Sequence, residues 1–234
     1  MINRNFEIEF FKKFIMILGS LTQTGQGLLR GGTSIDPDDV PPQKLKLVLC
    51  GDEKVGKTKL FDRIISDTYS EGYFQTIGSD YKECQRVVPG ANVTLVVWDT
   101  AGSPQYRSIL PIFFPKTDIV IVVYDVTSAK SFEAVPAFVT DARNWVQEEC
   151  DIAIFGTKID SWKNPREVSQ TDAMTIADRL NVRYFETSAV TTQGLEDALR
   201  KMIKKTLKRK NLLPDWLVSS NREGTTEEFE NTDL

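Results

Sequence analysis

The chain contains no histidine and only three cysteines, and its apolar runs are short. Each scarcity narrows the chemistry. Without histidine the commonest general base is missing, so any catalysis must rest on positioning and electrostatics, or on carboxylates, lysines and hydroxyls. Cys50, Cys84 and Cys150 are scattered, odd in number and without a pair at metal-ligand spacing, which points to reduced thiols and a cytoplasmic protein. Apolar stretches such as Ile119 to Val123 fall far short of the ~20 residues that span a bilayer. Charge of one sign is lacking too: 29 Lys plus Arg against 33 Asp plus Glu leaves a net charge of −4, no ground for binding nucleic acid.

What is present suits one domain with extensions: 234 residues, of which 41% are apolar and 26% charged, enough to bury a core. The pattern changes twice along the chain. Residues 1–43 hold an aromatic and aliphatic segment, a Gly/Thr/Gln stretch and Asp36-Pro37-Asp38-Asp39-Val40-Pro41-Pro42, which reads as an amphipathic segment on a flexible linker. From Lys44 to Lys210, short apolar runs alternate with helical-period segments, as in an α/β domain. The strand candidates are Lys46 to Cys50, Tyr81 to Val88, Val93 to Asp99, Ile119 to Asp125, Ile152 to Thr157 and Val182 to Glu186. Helical spacing covers Lys57 to Ile65, Ser131 to Glu149, Gln170 to Leu180 and Gly194 to Leu207. Residues 211–234 read as an acidic, disordered tail.

Gly51-Asp52-Glu53-Lys54-Val55-Gly56-Lys57-Thr58 is a full G-x-x-x-x-G-K-[ST] pattern between an apolar strand and a helix. Its glycines let the backbone wrap a β-phosphate, its amides and the helix N-terminus supply partial positive charge, Lys57 reaches the β- and γ-phosphates, and Thr58 offers a hydroxyl to Mg2+. By itself the loop specifies only a nucleoside triphosphate.

Three further motifs follow in order: Trp98-Asp99-Thr100-Ala101-Gly102, then Thr157-Lys158-Ile159-Asp160, then Glu186-Thr187-Ser188-Ala189. With them the region 44–207 resembles a small GTPase of the Ras superfamily. The resemblance implies a P-loop NTPase G domain, a mostly parallel six-stranded sheet with helices on both faces, binding GTP or GDP with Mg2+. It places the nucleotide against Glu53, Lys54, Val55, Gly56, Lys57, Thr58, Lys59, Thr76, Gly102, Thr157, Lys158, Asp160, Ser188, Ala189 and Val190. It puts the metal at Thr58, Thr76 and Asp99, and the hydrolytic chemistry at Lys57, Thr76, Gly102 and Ser103. Asp160 would accept two hydrogen bonds from guanine that adenine cannot supply, and Thr157 replaces a more frequent asparagine.

Ile77-Gly78-Ser79-Asp80-Tyr81-Lys82, Gln105-Tyr106-Arg107-Ser108-Ile109 and Tyr124-Asp125-Val126-Thr127 are most similar to the Rab branch. That implies effectors and exchange factors reading Tyr73 to Lys82 and Gly102 to Ile109, with Trp98, Phe74 and Tyr106 as a candidate recognition patch. Thr76 would be ordered by a γ-phosphate and released with GDP.

The sequence also departs from the family. Ser103 stands where a glutamine would orient the attacking water, Pro104 follows it, and Glu53 and Lys54 occupy loop positions that favour small residues. Slow hydrolysis is expected, the alternative being a GTP-locked or pseudo-GTPase scaffold. Cys150 is the cysteine nearest the end of the sequence, so no prenyl anchor is expected. Residues 6–21 carry apolar side chains at helical spacing, suited either to weak membrane contact or to docking on protein. Thr232-Asp233-Leu234 resembles a PDZ-domain ligand.

Overall fold

The computed structural model describes residues 42–69, 72, 75–88, 91–146 and 149–213. The expectations for residues 6–21, Thr232 to Leu234, Tyr73 and Phe74 lie outside these. In chain order the elements are β1 (Gln43–Gly51), α1 (Lys57–Ser66), β2 (Ser79–Val88), β3 (Ala91–Thr100), a 3-10 helix (Pro104–Phe113), β4 (Ile119–Asp125), α2 (Ala129–Glu133), α3 (Val135–Trp145), β5 (Asp151–Thr157), α4 (Gln170–Arg179), β6 (Arg183–Glu186) and α5 (Leu195–Arg209). Among the described residues no helix is long and apolar enough to cross a membrane.

The sheet runs β2-β3-β1-β4-β5-β6. Every neighbouring pair is parallel except β2 with β3. Parallel strands covered on both faces must be apolar on both, and β4 is buried along its whole length. Leu45, Leu47 and Leu49 of β1 pack with Leu60, Phe61 and Ile64 of α1 and with Leu199, Met202 and Ile203 of α5 in one core cluster. On the other face Trp98 lies 5.6 Å from Phe113 and Tyr124 lies 5.0 Å from Phe132. β1 is central, with crossovers leaving from both its sides. The loops at the carboxyl ends of β1, β3 and β5 therefore meet over one crevice, where open α/β sheets bind ligands.

One helix in the sequence reading becomes two. The segment expected to run unbroken from Ser131 breaks at Ala134, because Pro136 sits in the first turn of α3, where its missing N–H costs least. The 3-10 helix, with Pro104 at its start and Pro111 inside, was not anticipated from the sequence. All three cysteines are free, and burial pushes the Cys50 and Cys150 thiols up to about 12.

Far from the crevice, the end of α5 is tied to the start of β5. Asp151 is 3% exposed, and its Oδ2 accepts from Arg209 Nε and Thr206 Oγ1, both at 2.9 Å, while Lys205 Nζ lies 3.0 Å from Oδ1. Burial alone would raise this carboxyl, but the bonds from Arg209, Lys205 and Thr206 outweigh it and hold the pKa below the usual carboxylate range. A depressed folded value stabilises the fold above the unfolded pKa of about 3.9, and that contribution is lost as pH falls through the folded one. Asp151→Asn is expected to lower unfolding free energy by about 2 kcal/mol at pH 7 and to flatten the acid limb of the stability curve. Urea unfolding of both proteins between pH 3 and pH 7 checks this; parallel curves would show that the carboxylate charge is irrelevant.

Candidate functional site

Four carbonyls of the Gly51–Thr58 loop are bonded by side chains. Lys57 Nζ donates to Gly51 O at 3.0 Å and Asp52 O at 2.6 Å, Lys158 Nζ to Lys54 O at 2.8 Å, and Thr157 Oγ1 to Val55 O at 2.6 Å. Gly56 precedes α1 at φ 99, a conformation that side chains disfavour. With these carbonyls bonded, the loop leads into the positive end of α1, where an anion is favoured, while the Glu53 amide donates to Asp52 Oδ1 at 2.8 Å. Burial lowers the pKa of Lys57, with Asp99 the first of several acids opposing it.

Two adjoining cavities follow the loop. The first, about 540 Å³, is lined by Glu53, Lys54, Lys57, Thr58, Thr76, Gly102 and Ser103 among others. The second, about 270 Å³, is lined by Thr157, Lys158, Asp160, Ala189 and Val190 among others. Gly56, Lys59, Tyr69 and Lys158 belong to both. One space of phosphate character thus continues into one of base size. Val55 and Ser188, both expected to contact nucleotide, are buried and off the cavity walls. Ser188 instead holds the turn, its Oγ accepting from Val190 N at 3.1 Å and Thr191 N at 2.9 Å.

Thr58, Thr76 and Asp99 converge although they come from α1, the loop before β2, and β3. Thr58 Oγ1 donates to Asp99 Oδ2 at 2.6 Å and lies 3.0 Å from Thr76 Oγ1. Asp99 Oδ1 is buried without a partner, and burial pushes the carboxyl up to about 6. Such a buried, half-satisfied carboxylate flanked by two hydroxyls fits a hard divalent cation, which prefers oxygen ligands. Among the described residues no group of three or more His, Cys, Asp or Glu could hold a metal, so the cation's remaining ligands would be phosphate oxygens and water.

In the second cavity Asp160 Oδ1 is also buried without a hydrogen-bond partner. Its neighbour Lys158 sits at φ 63 and pairs with Asp125 Oδ2 at 2.6 Å, which fixes the side chain along the cavity wall. An unpartnered carboxylate oxygen there calls for N–H donors from a ligand, and guanine's ring nitrogen and exocyclic amine supply two.

The sequence reading missed Tyr69, which lines both cavities with Lys59 and Arg63 about 6 Å from its ring. It also missed Trp162 on the second cavity, and it placed Gln75, which lines the first, only within the partner-reading segment Tyr73 to Lys82. No motif includes Tyr69 or Trp162, which were detectable only as apolar residues in polar loops. The candidate recognition patch needs correction. Trp98 is 3% exposed, stacked on Tyr81 at 4.8 Å, with Lys46 Nζ 5.2 Å from its ring, and is therefore core. Tyr106 is half-buried, and Ile77 is the large apolar residue exposed on that side.

Gly102 permits no side chain. An added Cβ would lie 2.4 Å from Asp52 O and 2.4 Å from Lys57 Nζ, so Gly102→Ala must displace the lysine or the loop. Its affinity for fluorescently labelled GDP is expected to fall at least tenfold, roughly 1.4 kcal/mol. Wild-type affinity in that titration would mean that the close approach is incidental.

Comparison with known proteins agrees with this geometry. A model of the Ras family matches residues 46–208. The chain is 33% identical over 170 residues to the GTP-binding protein ypt5 of Schizosaccharomyces pombe, covering 72% of this chain and 81% of that one. It is 35% identical over 159 residues to the Ypt/Rab-type GTPase avaA of Emericella nidulans, covering 66% of this chain and 78% of that one. Strand order, crevice and motif placement, together with these matches, make the chain a Rab-like member of the Ras family of small GTPases.

Proposed function

We propose that the protein is a nucleotide-dependent switch in membrane traffic or signalling that binds GTP or GDP with Mg2+ and hydrolyses GTP slowly. The observation carrying the nucleotide reading is Asp160, with its Oδ1 buried and unpartnered, on the wall of a cavity that shares Gly56, Lys59, Tyr69 and Lys158 with the phosphate cavity. In this reading Asp160 selects guanine, Lys158 lies along the base, and Lys57 with the loop amides holds the β- and γ-phosphates. Thr58 and Thr76 turn their hydroxyl oxygens toward the cation, with Asp99 behind them. Bound Mg2+ neutralises charge building on the phosphates during transfer. Thr76 then depends on the γ-phosphate, and effectors and exchange factors would read Tyr73 to Lys82 and Gly102 to Ile109 accordingly.

Slow turnover follows from what replaces the usual catalytic parts. The Ser103 side chain is too short to orient water at the γ-phosphate, and Pro104 begins a 3-10 helix directly after it. Glu53 lines the phosphate cavity, where a carboxylate disfavours developing negative charge, takes up space and competes with the phosphate for the charge of an arriving arginine. A GTP-locked scaffold is the second reading. Gln75, which lines the same cavity as Ser103, favours residual hydrolysis over none, since its side-chain amide is a group able to orient water.

Purified protein is expected to release guanine nucleotide on denaturation and to turn over loaded GTP at or below ~10⁻⁴ per second, with less than ~tenfold acceleration by an arginine-finger activator. Gln75→Ala should slow it further while GTP affinity holds. Ordinary stimulated rates would overturn slow hydrolysis, complete persistence of GTP would establish the scaffold, and absence of guanine nucleotide would remove both.

A further inference from the structure

We infer that Trp162 is a nucleotide contact: its indole closes the open side of the base cavity and slows nucleotide release. The inference rests on the guanine-nucleotide reading above and adds to it a residue outside the motifs. Trp162 is 86% exposed, more than any other large apolar residue described, yet it stands on the wall of the cavity that contains Asp160. An indole left in water beside a ligand cavity gains contact area once the cavity is filled.

The loop that carries it is built for this placement. Ser161 N donates to Lys158 O at 3.0 Å, and Asn164 N to Ser161 Oγ at 3.4 Å, turning the chain back on itself directly after Asp160. Ser161 brings no apolar surface of its own, so Trp162 is the first residue after the carboxylate able to cover a base. Tyr69 lines the same cavity, and Lys163 Nζ lies 5.2 Å from the indole centroid, a cation–π contact that restrains the ring. A base fixed by two hydrogen bonds to Asp160 would have aromatic surface from residues 69 and 162 around it, an arrangement in which stacking adds to hydrogen bonding. A protein partner at Trp162 is the competing occupant. The indole's place in a cavity continuous with the phosphate loop, rather than on a flat exterior face, favours the nucleotide.

Release of N-methylanthraniloyl-GDP should be about tenfold faster or more from Trp162→Ala than from wild type, and Trp162→Phe should restore a rate within about threefold. Acrylamide quenching provides the independent readout. GDP should protect the fluorescence of the wild-type chain, and that protection should be absent from Trp162→Phe. Far-UV circular dichroism melts of the variants should match wild type, since an exposed indole is not core. A wild-type release rate in Trp162→Ala, or no protection by GDP, overturns the inference and leaves the indole to a protein partner. If the wild-type chain binds no guanine nucleotide at all, the nucleotide reading itself fails and takes this one with it.

Discussion

A phosphate-binding loop must point its amides at an anion, and an unsupported backbone has no reason to do so. Here the reason is that four of its carbonyls, those of Gly51, Asp52, Lys54 and Val55, are already bonded by side chains. Lys57 holds Gly51 and Asp52 from within the motif, while Lys158 and Thr157, a hundred residues later, hold Lys54 and Val55. Thr157 shows what this costs. Its single hydroxyl hydrogen is shared between Val55 O at 2.6 Å and Tyr124 O at 2.9 Å, whereas the asparagine more frequent in the family has two amide hydrogens. Phosphate and base sites are thus coupled through one residue type at the end of β5.

That coupling explains which parts of the molecule were legible in the sequence. Strands β1, β3, β4 and β5 were visible because strands buried on both faces need continuous apolar residues, as β4 and β5 show, whereas β2 and β6 are exposed or half-buried along most of their length. The loop motif was visible because each of its positions has a steric or chemical requirement. What could not be read depends on the third dimension. Tyr69 and Trp162 reach the base cavity through loop geometry with no fixed spacing, and nothing in the sequence decided between core and surface for Trp98, which Tyr81, Phe113 and Lys46 enclose. The break between α2 and α3 was a local misreading: Pro136 was in plain view, but the apolar periodicity continues across it.

The departures in the loop have a structural cost as well as a chemical one. Lys54 sits at φ 63, where a side chain costs roughly 1 to 2 kcal/mol relative to the right-handed region. The bond from Lys158 to its carbonyl is part of what holds it there. A glycine would relieve that strain, so its absence keeps a lysine and a glutamate at the mouth of the phosphate cavity despite the backbone preference. Hydrolysis demands space and positive charge at the γ-phosphate, and a glutamate on that wall provides neither.

The arrangement of Thr58, Thr76 and Asp99 connects this chemistry to movement. The hydroxyls donate to the same Asp99 oxygen, Thr58 at 2.6 Å and Thr76 at 3.4 Å. With a cation they would act as lone-pair ligands, so the hydrogens must turn away from where the metal sits. Among the described residues of the segment carrying Thr76, Gly78 O accepts from Ala101 N at 2.8 Å and Ile77 is 66% exposed. A segment with so little buried surface takes its position from the charge state of the site beside it. In the proposed switch, nucleotide identity would move the surface around Thr76 without disturbing the core, whose cluster on β1, β3 and β4 does not include that segment.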